Sequence, residues 1–222
     1  MDADPIIVNS EQPDLIERNP NNPNKTEGLP VVWEALDSLT SPELMNRITG
    51  LKRLIRLGAV RQYPLVIYVL VTRITEPDIE LRTQIVQLLG SIPDLDVRSP
   101  KKAVSSLEAV KKALTTALAG MRTRQIFALL QVSEFDKTAE EAVSTLLGYC
   151  SFAGGHLARI LSNRAAPLSI RRQAAHFIGC IGYLDALPAL ERLASRLESR
   201  RDDEDAGILL GLQETIRLLY TP

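Results

Sequence analysis

The sequence predicts an all-α chain, an α-solenoid of about five antiparallel helix pairs, and three observations carry that expectation. Glycines stand at 28, 58, 90, 120, 148, 179 and 211, with separations of 30, 32, 30, 28, 31 and 32 residues. A near-constant period of about thirty residues marks a repeat architecture. Five of these glycines follow apolar runs of helical character: "LIRLG" ends at 58, "IVQLLG" at 90, "ALTTALAG" at 120, "AVSTLLG" at 148 and "AAHFIG" at 179. They are expected to close helices in the left-handed C-cap conformation that glycine adopts most easily. Gly211 departs from this, because "LQETIRLL" continues the helical pattern beyond it, and Gly28 falls outside the repeats. Finally, the single units are small. Ile170, Ala174, Phe177, Ile178 and Ile181 make one apolar stripe, and the helix expected before it has about nine residues, below the roughly 12 to 15 at which isolated helices become marginal. Such a unit folds only against neighbours, as in a solenoid.

The elements follow in order. Residues 1–30 hold six acids and two bases, with Pro13, Pro20, Pro23, Pro30 and five asparagines after residue 8 and few large apolar residues. They read as a flexible acidic arm preceding a repeat domain over 31–222. Helices are expected at 42–57, 63–75, 78–91, 101–119, 123–132, 138–150, 155–163, 168–181, 186–199 and 203–219. Proline and serine mark several starts, in "SPEL", "YPLV" and "SPKK". The β-branched run "PLVIYVLV" invites a strand, but its place between helical units favours helix.

The chain of 222 residues has a net charge of −1, which argues against a polyanion as partner of the whole molecule. Residues 31–132 are the basic part, with fourteen bases to nine acids. Arg47, Lys52, Arg53, Arg56, Arg61, Lys101, Lys102, Lys111, Lys112, Arg122 and Arg124 lie there, as solvated helix faces or as a dock for a polyanion or the acidic arm. The opening "MDADPIIVNSEQPD" lacks the basic start and apolar core of a secretory signal, and no run is long enough to span a bilayer. A cytoplasmic location without membrane insertion is expected. Cys150 and Cys180 then read as reduced, buried thiols.

"IRRQAAHFIGCIGYLDALPALERLA", residues 170–194, resembles a HEAT repeat of the bacterial kind found in phycobilisome lyases and scaffold proteins. The features are Ile170 and Arg171, the small pair Ala174 and Ala175, Gly179 and Gly182, and the polar turn before "ALPAL". "PDIELRTQIVQLLGSI" resembles it through Leu81, Arg82 and Gly90, with arginine eight residues before glycine in both. The pattern fades elsewhere, where that position holds Lys112, Glu140 and Asp203. The resemblance implies stacked antiparallel helix pairs whose second helices line a concave face, and an arginine that bonds toward a neighbouring repeat. It implies no chemistry.

No phosphate-binding, nucleophile-elbow or zinc-protease motif occurs. His156 and His176 lack acids at ligand spacing and read as packing or polar-edge residues, and "DDED" at 202–205 reads as the acidic start of the last helix. No catalytic residue, metal or cofactor is assigned. The expected function is a non-catalytic scaffold that holds a partner protein on its concave face. Helical spacing places Thr83, Gln87, Glu141, Thr145, Arg172 and His176, seven and three residues before Gly90, Gly148 and Gly179, on one exposed ridge. Two alternatives stand beside it. One is a lyase or chaperone-like role on a chromophore-bearing protein. The other is nucleic-acid binding, including the HEAT-like DNA glycosylases, which the neutral charge and the 5% aromatic content disfavour. The arm could also cover the basic half and compete with the partner.

Overall fold

The structure is a computed structural model that describes residues 23–95, 101–200 and 203–221. Eleven α-helices carry those residues, and among them there is no strand. The helices are α1 (Pro23–Thr40), α2 (Leu44–Arg56), α3 (Pro64–Thr72), α4 (Ile79–Gly90), α5 (Lys101–Ala119) and α6 (Thr123–Phe135). They continue as α7 (Glu140–Gly148), α8 (Ala153–Ser162), α9 (Leu168–Cys180), α10 (Leu187–Arg200) and α11 (Asp203–Tyr220). Among the described residues no helix is long and apolar enough to cross a membrane.

The ten expected helices are present. "PLVIYVLV" is helix, with Pro64 at its first position, where the missing N–H costs nothing, and with Val66, Ile67, Leu70 and Val71 buried. The eleventh helix, α1, was not anticipated. It begins within the stretch read as arm, whose residues 1–22 lie outside the described ones. Its stripe is Val32, Ala35, Leu36 and Leu39, spaced i, i+3, i+4 and i+7 and buried against α2.

Two pairs of helices adjacent in sequence form hairpins whose direction can be read from contacts. Glu34 bonds Arg53, and Gly50 lies against Ala35 and Leu39, so α1 and α2 are antiparallel. Glu191 meets Tyr220 and Glu198 meets Gln213, which gives the same sense for α10 and α11. Second helices of successive pairs instead run parallel. Gln87 and Gly90 of α4 meet Thr138 and Ala142 at the start of α7. Arg172, Ala175 and Gly179 of α9 meet Gly207, Thr215 and again Thr215 of α11.

One unit breaks the simple order. The helix that ends before Gly120 does not lie between α4 and α7, although it lies between them in the chain. Instead α5 packs mainly on α3, Lys111 Nζ donates to the carbonyls of Pro93 and Leu95, and α4 packs directly on α6 and α7. The stripe of α5, Val110, Ala113, Leu114 and Leu118, is buried in that position.

The glycines also differ from expectation. Among the described residues only Gly58 (φ 62°) and Gly182 (φ 65°) have positive φ, so Gly90, Gly120, Gly148 and Gly179 are not left-handed caps. Two positions act through their missing side chain instead. A Cβ at Gly90 would stand 2.5 Å from Ala142 Cβ, and one at Gly50 would stand 2.5 Å from Leu39 N. At these crossings glycine is the residue that lets backbones approach.

A buried ion pair joins the first half. Glu76, 1% exposed, accepts from Arg47 Nη2 at 2.8 Å and Nε at 3.0 Å, and Arg73 lies 3.8 Å from its other oxygen. Arg47 also donates to the carbonyls of Ser41 and Pro42. Arg82 donates its Nε to the Glu76 carbonyl at 2.6 Å and its Nη1 to Gln131 at 2.7 Å. Burial lowers the Arg82 pKa, against the opposing pull of Glu76 and Asp78. Arg47, one of the basic residues of the middle segment, is therefore a structural ion rather than part of a solvated face. Arg82 and its counterpart Arg171, whose Nε donates to Leu161 O at 2.9 Å, share one role. Each ties the start of a second helix to the backbone leading into it.

A polar seam along the second helices as the candidate functional site

The ridge residues lie on α4, α7 and α9, and their side chains divide into three groups. Thr83 is buried, 5% exposed, and its hydroxyl donates to Ile79 O four residues back, so it does not belong to an exposed ridge. The reason is that α4 is covered on several sides, by α3, α6 and α7, and its seven-before-glycine position faces a neighbour. Gln87, Thr145 and His176 are half-buried. Glu141 in the first turn of α7 and Arg172 on α9 are exposed, as expected.

Hydrogen bonds connect these helices side to side. Gln87 donates its side-chain amide to Asp136 Oδ2 at 3.1 Å and to Thr138 Oγ1 at 3.3 Å, in the turn that opens α7. Asp136 also accepts from the N–H and hydroxyl of Thr138 at 2.9 and 2.7 Å. Those bonds to the ionised form hold the Asp136 carboxyl below its ordinary pKa. One step further, Glu140 Oε1 lies 2.6 Å from His176 Nε2 on α9, and the Cys180 sulfur lies 3.4 Å from the same nitrogen. At the far end the Arg172 guanidinium occupies the space a side chain at Gly207 of α11 would fill. A seam of Gln87, Asp136, Glu140, His176 and Arg172 thus runs from α4 to α11, with Glu141 beside it.

Sequence reasoning missed Asp136, Glu140, Cys180 and Gly207. A signal for one of them was present. Glu140 stands eight residues before Gly148, where Arg82 and Arg171 stand before Gly90 and Gly179, and it supplies the carboxylate that His176 meets. Cys180 was expected to be buried and is exposed, whereas Cys150 is buried with its sulfur 3.9 Å from Met121 O. Cys180 follows His176 by four residues, so both lie on the same face of α9. The other histidine, His156, contacts Thr123 Oγ1 through Nδ1 at 2.8 Å, and burial followed by Arg159 lowers its pKa. The acids at 202–205 lie outside the residues whose side chains are described, although α11 starts at Asp203.

The seam's histidine has a defined charge. The Cys180 sulfur, against partial burial and with help from Glu140, pushes the His176 pKa up to about 9. A histidine whose folded pKa exceeds its unfolded value near 6.5 stabilises the fold fully below that unfolded pKa. The contribution is lost as pH rises through about 9. Its side chain is 43% exposed and that of Glu140 38%, so solvent screening keeps the contribution small. The stability difference between the wild type and His176→Gln should be largest in mildly acidic solution and shrink toward alkaline pH in urea unfolding. A constant difference would assign His176 a packing role alone.

The geometry does not form a hydrolytic triad. There the acid orients one ring nitrogen while the nucleophile meets the other, whereas Glu140 and Cys180 both address Nε2. Among the described residues no group of three or more His, Cys, Asp or Glu is arranged to hold a metal ion. An open groove between the end of α8 and α10 is lined by Ser162, Glu191, Arg192, Ser195 and Arg196, and its arginines bond back to carbonyls of their own helix. No protein-family model, curated protein or solved structure matches the chain.

Proposed function

We propose that this chain is a HEAT-like solenoid acting in the cytoplasm as a non-catalytic scaffold, and that it holds a partner protein along the polar seam of its second helices. The observation that carries this reading is the parallel packing of α4 on α7 and of α9 on α11, which brings polar side chains from separate units into one line. The line displays charges of both signs, Glu141 and Arg172, with half-buried groups between them. A surface of this kind selects a partner by complementary charge and register more than by apolar area. Catalysis has no part in the proposal, because the one cluster of titratable side chains on the seam lacks the arrangement of an acid–base relay.

The test is affinity capture with the wild type and with a Glu141→Lys, Arg172→Glu double variant, each with and without nuclease. Both substitutions are at exposed positions, and their effect on stability should stay within about 0.5 kcal/mol. A stoichiometric protein that survives nuclease on the wild type and is lost, by about tenfold or more in affinity, on the double variant supports the seam as the binding surface. Retention of the same protein by both rejects it. Loss of all bound material with nuclease moves the function to nucleic acid.

A further inference from the structure

We propose that residues 1–22 dock on the outward face of α2, so that the chain covers a basic and apolar surface of its own first hairpin. Helical spacing sets that face. Met45, Ile48, Lys52, Ile55 and Arg56 fall at i, i+3, i+7, i+10 and i+11, one stripe opposite the buried Gly50, Leu51 and Leu54. Met45 is 70% and Ile55 47% exposed, and Lys52 and Arg56 are exposed between and beside them. The helix dipole accounts for bases in the last turn, Arg53 and Arg56, but it gives no reason for large apolar side chains to stand uncovered next to them.

Charge selects the occupant. α2 contains four bases and no acid. Arg47 is paired with Glu76 and Arg53 with Glu34, whereas Lys52 and Arg56 have no ion pair among the described residues. Residues 1–22 supply five acids against one base, and they set those acids beside aliphatic residues, in "DADPIIV" at 2–8 and in "EQPDLIE" at 11–17. Such a segment complements two cations placed among apolar side chains in both kinds of contact. The chain also enters from the right place. Glu34 bonds Arg53 and the two helices are antiparallel, so the start of α1 lies beyond the last turn of α2. Pro23 stands eleven positions before Glu34, about 16 Å along the axis at about 1.5 Å per residue. About five extended residues recover that distance. Residues 11–17 then reach Lys52 and Arg56, and 2–8 continue toward Met45. The inference does not depend on the seam, which lies on α4, α7 and α9, and failure of either leaves the other standing.

The experiment couples carboxylates to lysines in the full chain with a water-soluble carbodiimide and identifies the linked peptides by mass. An equal mixture of ordinary and heavy-nitrogen protein makes links within one chain and links between two copies differ in mass. Within one chain, Glu11, Asp14 and Glu17 should link to Lys52 about fivefold or more above Lys112 and Lys137, which are exposed as well. Two variants should each lower the Lys52 link by about threefold or more. Arg56→Glu changes an exposed position of the stripe, with folding checked by circular dichroism. Leu15→Ser with Ile16→Ser changes the segment alone and keeps every carboxylate. An unchanged yield in either variant overturns the proposal. So do equal yields at the three lysines, or links that form mainly between copies, which would assign the stripe to a second chain.

Discussion

Replacing Glu76 with alanine is expected to destabilise the fold by about 3 to 5 kcal/mol, the cost of leaving a buried cation without its counter-ion. The carboxylate is 1% exposed and Arg47 is 12% exposed at its side chain, so water cannot easily replace the lost partner. Arg73 loses its neighbour as well. The carbonyls of Ser41 and Pro42 continue to accept from Arg47, which holds the cost toward the lower end of that range. Equilibrium urea unfolding measures it, provided the slope is unchanged. The pair need not be a net gain over apolar packing, and a joint Arg47→Met, Glu76→Leu variant should recover most of the loss. A Glu76→Ala variant within about 0.5 kcal/mol of the wild type would mean that the pair is solvated in solution.

The second large effect concerns the periodic glycines. Gly90→Ala should destabilise by about 3 kcal/mol, because the new methyl group would meet Ala142 and force α4 and α7 apart. Its Cβ would stand 2.5 Å from Ala142 Cβ and 2.7 Å from Ala142 Cα, and neither atom is the end of a flexible side chain. Gly148, two periods later, has nothing within 4 Å of such a methyl and no positive φ. Gly148→Ala should therefore be neutral or stabilising by up to about 1 kcal/mol, through the lost freedom of the unfolded chain. Thermal melts of the two variants side by side separate a crossing role from a capping role. Equal destabilisation by both would restore the capping explanation.

That contrast shows what the sequence holds and what it hides. The period was legible because each unit must end a helix near the same place, and the ten helices from α2 to α11 follow from apolar stripes and proline breaks. The physical role of each glycine was not legible. A helix-ending glycine and a helix-crossing glycine both follow an apolar run, and only the neighbour across the gap distinguishes them. The same holds for α5, whose stripe states that one face is buried but not that α3 buries it. For α1, the stripe from Val32 to Leu39 was in plain view beside a composition typical of a tail, and local composition outweighed periodicity.

The seam was legible in part. Spacing placed Glu141 and Arg172 at exposed positions, while Gln87, Thr145 and His176 are half-buried and Thr83 is buried, because a periodic position says nothing about how many neighbours cover a helix. The acids Asp136 and Glu140 come from the turn before α7 and from the first residue of α7, and their contacts on α4 and α9 are 49 and 36 residues away in the chain. No local pattern encodes pairs at that separation. The residue type at Glu140 was itself the available clue, since a carboxylate at the position where Arg82 and Arg171 precede their glycines reverses what the position can bind.

Covalent footprinting of the chain bound to its captured partner tests the central claim most directly, with a carboxylate reagent for Glu141 and an arginine reagent for Arg172. The account predicts that both side chains become protected on binding, while Trp33 and Met45, exposed on the opening hairpin, keep the reactivity they have in the free chain. Protection confined to Trp33 and Met45, with Glu141 and Arg172 as reactive as before, would contradict it and place the partner on the end of the stack instead of along the seam.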